Sequence, residues 1–210
     1  METKHEIIPL FSIPLFITSV PPELSKIKDF LEAQELKEPT GGNYQFGRRS
    51  KNSYILNESP LAEISEYILK EVENYALNYL GYNYKEYTFS QSWISHKYPG
   101  EEHIQHHHPN SLISGIFYYG QMDNNVPHVI FHKPPFNYST HPRETLEANE
   151  HNYKNFSLLP LPGTLVLFPS ELQHSVPKNE TNIIRKSLAF NIVPKEGLGS
   201  EEALTELKFN

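Results

Sequence analysis

The sequence predicts a mainly β fold with flanking helices, a double-stranded β-helix (jelly roll) of two facing sheets. Three observations predict it. From residue 86 onward the apolar pattern has a period of two, as in strands with one buried face. Glycine and proline punctuate that half at Pro99-Gly100, Pro109, Gly120, Pro134-Pro135, Pro162-Gly163, Pro169 and Pro177. The front half instead carries apolar residues at helical spacing. Short strands behind a helical front suit a sheet pair backed by helices.

Taken in order, residues 5–20 read as extended. Ile7 to Val20 is apolar but broken by Pro9 and Pro14, and it has no basic leader or small-residue cleavage site. It is an early strand rather than a signal peptide or membrane span. Pro21-Pro22-Glu23 opens a helix over residues 22–35, with Leu24, Ile27, Phe30 and Leu31 on one face. Residues 37–58 read as loop, with Gly41-Gly42 and a polar run. A second helix spans 60–80, its core stripe Leu61, Ile64, Ile68, Val72, Tyr75 and Tyr79. Strands are expected at 87–94, 103–108, 112–119, 127–132, 155–159, 163–168, 172–176 and 183–193. The long polar stretch 133–154 reads as a lid or substrate loop.

The 210 residues make one domain the default: a support region 1–84, a jelly-roll core 85–194 and a loose acidic tail 195–210. A formal charge of -7, with only Arg48-Arg49 and Lys51 as a basic spot, excludes a general nucleic-acid binder. The chain has no cysteine, which excludes disulfides, thiolate zinc sites and a thiol nucleophile. Any metal must sit on histidine and oxygen. A cytoplasmic protein without membrane attachment is the default expectation, and a homodimer the base-rate one.

The chemistry concentrates in His106-His107-His108, His174 and Arg185. On a strand, residues two apart share a face, so His106 and His108 aim together and His107 aims away. His174 arrives from a turn at Pro169-Ser170. Arg185, Ser187, Ala189 and Asn191 share one face of an apolar strand, and the flanking Ile183-Ile184 and Leu188 to Phe190 turn that arginine inward. A guanidinium fork with a hydroxyl two residues on suits a carboxylate clamp. Two close histidines, a remote one and an arginine describe an iron site with an anchor for an acidic co-substrate. Blander readings stand beside this one. Three consecutive histidines occur in solvated loops, Arg185 can serve a surface ion pair, and Tyr118 and Trp93 can be plain core. His103 is off the two-residue spacing and reads as a pocket or core histidine. His96, His128, His132, His141 and His151 have no partner in sequence. Ser170 and Ser175 lack the Gly-x-Ser-x-Gly elbow of a nucleophile.

These residues resemble the Fe(II)/2-oxoglutarate-dependent oxygenases of the prolyl-hydroxylase-like branch. Gly100-x-x-His103-x-x-His106-x-His108 is similar to that branch's Gly-x-x-Tyr-x-x-His-x-Asp. Closer still is the likeness to a 2-oxoglutarate oxygenase family common in marine bacteria and their phages. Its marks are His-x-His-Pro-Asn-Ser (His106 to Ser111), Ser-Gly before an aromatic strand (Ser114 to Tyr119), Phe-Pro-Ser…His (Phe168 to His174) and Arg-x-Ser…Phe-Asn (Arg185 to Asn191). The resemblance is strong over residues 90–194 and weak before them.

It implies a cupin-like jelly roll in which His106, His108 and His174 bind Fe(II) at the catalytic centre. It further implies that Arg185 pairs with the distal carboxylate of 2-oxoglutarate, with Ser187 assisting and the Tyr118 phenol nearby. Tyr98 would line the pocket beside the iron, and Asn191 would face the cavity toward substrate. The implied reaction consumes O₂ and the oxo acid, releases succinate and CO₂, and hydroxylates a second substrate, with a protein, peptide or amino-acid side chain favoured. One position departs from the pattern: His108 stands where the family has Asp. Three neutral imidazoles leave the site one unit more positive, which weakens Fe(II) retention and favours a dianionic oxo acid. Glu101 and Glu102 are the alternative acids. Two other classes stay open, a three-histidine cupin-type metalloenzyme that takes no oxo acid and a non-enzymatic jelly-roll binding module.

Overall fold

The computed structural model describes Ile8 and residues 11–39, 47–121, 125–134, 149, 151–159 and 161–209. Gly41-Gly42, and Tyr138, His141 and Arg143 of the stretch 133–154, lie outside the described residues. In chain order the elements are β1 (Phe16–Ser19), α1 (Lys28–Glu32), β2 (Leu36–Lys37), β3 (Arg48–Ser50), α2 (Ala62–Tyr75), β4 (Tyr87–Lys97), β5 (His103–His106), β6 (Ile113–Tyr118), β7 (Val129–His132), β8 (Asn155–Leu158), β9 (Thr164–Pro169), β10 (His174–Val176) and β11 (Arg185–Pro194). The strands form a larger sheet in the order β1-β9-β6-β11-β4-β3-β2 and a smaller one in the order β5-β10-β7-β8. This is the jelly roll that the period-two pattern predicts.

Alternation along the larger sheet builds two different interiors. Outward, Ile94 of β4, Phe117 of β6, Leu167 of β9 and Leu188, Phe190 and Ile192 of β11 join Leu31, Ile64, Ile68, Val72 and Tyr75 of the helices in one buried cluster. Inward, Ile116, Tyr118, Val166 and Phe168 meet Val129, Phe131 and Val176 of the smaller sheet. Strands β6 and β11 need a glycine to pack the outer side. Phe190 is the register partner of Gly115, and a Cβ on that glycine would sit within the Phe190 ring.

Four local expectations are corrected. The first helix is a 3-10 turn, Leu24–Ile27, followed by the short α1, because none of its ends has a side-chain cap to prolong it. The loop expected at 37–58 contains β3 and a 3-10 turn at Ile55–Asn57, and β2 begins just before it. Two- and three-residue strands are too short to display a period. Tyr79 leaves the core stripe: α2 widens into a π-helical turn, Ala76–Leu80, which rotates the face so that Ala76 is buried and Tyr79 is 60% exposed. Finally, β5 ends at His106, so His107 and His108 lie just beyond the strand. Among the described residues no helix is long and apolar enough to cross a membrane.

Candidate metal centre

The antiparallel pairing of β10 with β5 sets His174 directly opposite His106, and their rings lie 4.3 Å apart. His108 is brought in by its backbone, whose N–H donates to the Ser170 carbonyl at 2.9 Å. Its ring is 5.1 Å from that of His106 and 5.2 Å from that of His174. One ring nitrogen from each of the three lies within 4.8 Å of the others. His107 points out and is exposed, and His103 stacks on His106 at 4.0 Å as a neighbour of the trio.

The local hydrogen bonds prepare these rings as neutral donors. The Nδ1–H of His106 donates to the Ile104 carbonyl at 2.8 Å, and that of His174 to the Leu172 carbonyl at 2.9 Å. Each bond fixes the tautomer and leaves the Nε2 lone pair for the interior. Burial, then the neighbouring His106, pushes His174 down to about 3. Burial, then His106 and His107, pushes His108 down to about 4. Burial also holds His106 below its ordinary value. All three are therefore uncharged at neutral pH, the state a metal ligand requires. Three convergent imidazoles without thiolate suit Fe(II) and related divalent ions. The alternative acids do not join: among the described residues the metal-sized cluster is the three histidines alone. Glu101 is buried elsewhere, bound by the Arg48 guanidinium and accepting the Tyr98 N–H at 2.9 Å.

The same interior holds a buried arginine. Arg185 opens β11 and is 2% exposed. Its Nε donates to the Pro127 carbonyl and one Nη to the Tyr118 hydroxyl, both at 3.1 Å. Its partners among the described residues are thus neutral. Tyr118 is fully buried, and burial raises its pKa, so it stays a phenol. Ser187 is close by, but its hydroxyl donates to the Ser95 carbonyl at 3.3 Å. Asn191, on the same face, accepts from the Ser114 hydroxyl at 2.9 Å through Oδ1. Ser114 in turn joins Ser170, beside the backbone that holds His108.

Residues 91–191 match a family model described as "Putative 2OG-Fe(II) oxygenase". They belong to the 2OG-Fe(II) oxygenase family. This family uses Fe(II), 2-oxoglutarate and O₂. No curated protein matches the sequence. Solved structures show the same fold at low identity. A Pseudomonas putida prolyl-4-hydroxylase is 12% identical, with 87% of this chain and 94% of that one covered at a TM-score of 0.56. HygX from Streptomyces hygroscopicus, solved with nickel and 2-oxoglutarate, is 10% identical, with 94% and 93% covered at 0.62. The 2-oxoglutarate-dependent epimerase SnoN of nogalamycin biosynthesis is 9% identical, with 88% and 80% covered at 0.63.

Among the site residues, one anticipated pocket residue sits elsewhere, one residue expected as plain core borders the histidines, and one buried residue went unnamed. Tyr98 lies under the Arg48 guanidinium at 4.2 Å and beside His96, away from the ring contacts of the trio. Trp93 and Lys97 take the inward positions of β4 instead. Trp93 packs 5.7 Å from His108, and Lys97 is fully buried opposite Arg185. Their signal is the two-residue alternation Trp93-Ser95-Lys97, which the expected strand at 87–94 cuts short of the lysine.

Proposed function

We propose that this oxygenase hydroxylates an organic substrate at the three-histidine centre, with 2-oxoglutarate as co-substrate. The observation that carries the reading is Arg185: a buried guanidinium whose hydrogen-bond partners among the described residues are neutral, in the same jelly-roll interior as three convergent neutral imidazoles. A buried charge left in that state calls for an anionic ligand. The N–H groups of the Arg185 fork that no described residue takes up offer bidentate geometry to a carboxylate. Tyr118 holds the fork in place and presents its own hydroxyl from the same side. Ser187 would add a donor only after turning from the Ser95 carbonyl.

His106, His108 and His174 would hold Fe(II), which when bound supplies the activation of O₂ coupled to breakdown of the oxo acid. His108 in place of a carboxylate leaves the centre with the full charge of the ion, and this strengthens its hold on a dianion. Asn191 has its amide nitrogen left to donate to substrate, and Trp93 forms an aromatic wall beside His108. The prolyl-4-hydroxylase likeness favours a protein, peptide or amino-acid side chain as substrate.

Anaerobic titration of the protein with Fe(II) and then with 2-oxoglutarate tests the reading. A weak visible charge-transfer band is expected only when both are present, followed by substrate-stimulated succinate release in air. Iron binding without the band favours a second reading, a cupin-type dioxygenase that takes no oxo acid. That reading draws on the absence of a carboxylate from the trio.

A further inference from the structure

Asn179, in the loop between β10 and β11, is 1% exposed and ties together the segments that carry the site. Its backbone continues the pairing of β10 with β5. The Asn179 N–H donates to the Glu101 carbonyl at 2.8 Å, and the Asn179 carbonyl accepts the Gly100 N–H at 2.7 Å. Glu101 stands two residues ahead of β5, the strand of His106. The side chain of Asn179 reaches across to the larger sheet. Its Nδ2 donates to the carbonyl of Lys97, the last residue of β4, at 2.9 Å. The same Nδ2 donates to the carbonyl of Ile183, two residues before Arg185, at 2.7 Å. Its Oδ1 accepts the Thr181 N–H at 3.1 Å and the Thr181 hydroxyl at 2.8 Å. An amide has two N–H donors and two oxygen lone pairs, so this one is saturated by the protein and its orientation is fixed. It has nothing left for a ligand. Glu101, also 1% exposed, braces the same turn through Arg48 and the Tyr98 N–H.

His106 and His174 belong to the smaller sheet, and Arg185 to the larger. Ladder bonds set strand against strand within a sheet, but the separation of two sheets depends on contacts that cross between them. A molecule that chelates the metal at one end and meets the Arg185 fork at the other needs that separation held. We infer that Asn179 is a positioning residue that sets the reach from the three-histidine centre to the Arg185 fork. This rests on the oxo-acid reading above. A two-ended ligand should therefore feel its loss, and a ligand confined to the metal should not.

The test is calorimetric titration of Mn(II)-loaded protein with 2-oxoglutarate and with oxalate, both of whose carboxylates are taken up by the metal. Asn179→Ala is expected to weaken 2-oxoglutarate by about 10-fold, the size of one hydrogen bond to a charged group. Mn(II) and oxalate affinity should stay as in wild type. Thr181→Val removes only the hydroxyl that orients the amide and should weaken 2-oxoglutarate by about 3-fold. It carries the test if Asn179→Ala does not fold. The inference is overturned if the folded variant binds 2-oxoglutarate as wild type does, or loses oxalate by the same factor, as a general loosening of the fold would cause. Arg185→Met separates the two failures. If it loses 2-oxoglutarate and keeps oxalate while Asn179→Ala matches wild type, the asparagine claim alone falls. If Arg185→Met binds 2-oxoglutarate as wild type does, the oxo-acid reading falls and the asparagine claim falls with it.

Discussion

The two faces of β11 share a backbone and differ in everything else. One face carries Leu188, Phe190 and Ile192 into the helix-backed cluster, where each side chain is almost wholly buried among apolar neighbours. The other carries Arg185, Ser187 and Asn191, equally buried but polar. Apolar burial stabilises the fold at roughly 25 cal/mol per Å², whereas burying a guanidinium among neutral partners costs stability. The strand therefore separates its tasks by a period of two. The outer face supplies the free energy that holds the inner face in an arrangement it would not adopt alone. His174, opposite His106 on the smaller sheet, belongs to the same polar interior.

Paired substitutions on that strand should break the comparison most visibly. Phe190→Ala is expected to cost about 3–5 kcal/mol of stability, the usual range for a buried aromatic, and to leave oxo-acid affinity in the surviving folded protein unchanged. Arg185→Met should do the reverse: it abolishes measurable 2-oxoglutarate binding and makes the metal-free protein more stable, by about 1 kcal/mol or more. Urea denaturation with oxo-acid titration on each variant checks both. If Arg185→Met lost as much stability as Phe190→Ala, the arginine would be a structural element and the division of the strand would not hold.

A smaller effect sharpens the boundary between the faces. Gly115→Ala places a Cβ into the Phe190 ring, and overpacking of this kind costs about 1–3 kcal/mol. Since Ser114 and Ile116 on either side point into the other interior, metal affinity should not change. A loss of metal affinity equal to that of a histidine variant would show that strain crosses the sheet.

The sequence made the inner and outer faces legible where strands were long enough to alternate. Arg185-x-Ser187 against Leu188-x-Phe190 could be read directly, as could the α2 stripe through Tyr75. Shorter features were not legible. Arg48-Arg49-Ser50 reads as a polar loop, although Arg49 pairs with Lys37 and Ser95 as a rung of the sheet. The π-helical turn that exposes Tyr79 has no propensity signal of its own. At the candidate site the three histidines and Arg185 stood out by residue type and spacing. Lys97 did not, because only the pairing of β11 with β4 sets it opposite the arginine. The same phase puts Lys97 inward and leaves Tyr98 to stack on Arg48, contacts that a motif alone does not specify.

The least perturbing test concerns His96, a buried histidine on the helix-facing side. His96 is 5% exposed and shares a 2.7 Å hydrogen bond with the Tyr119 hydroxyl, and its Nδ1 has no partner. Burial, then the charges of Lys186 and Lys97, pushes it down to about 4, with Glu32 pulling the other way. An unfolded histidine titrates near 6.5. Between those values the unfolded chain holds a proton that the folded chain refuses, so stability falls as pH drops from 6.5 toward 4. His108 and His174 add to that fall from the inner face, so the wild-type slope is a sum over both sides of the sheet. His96→Gln keeps a polar partner for Tyr119 and removes only the proton. Urea midpoints measured across this window should give a slope shallower by about one proton, with Fe(II) affinity at neutral pH unchanged. An unaltered slope would mean that His96 is already protonated in the folded protein, and the pH sensitivity would then belong to the inner face alone.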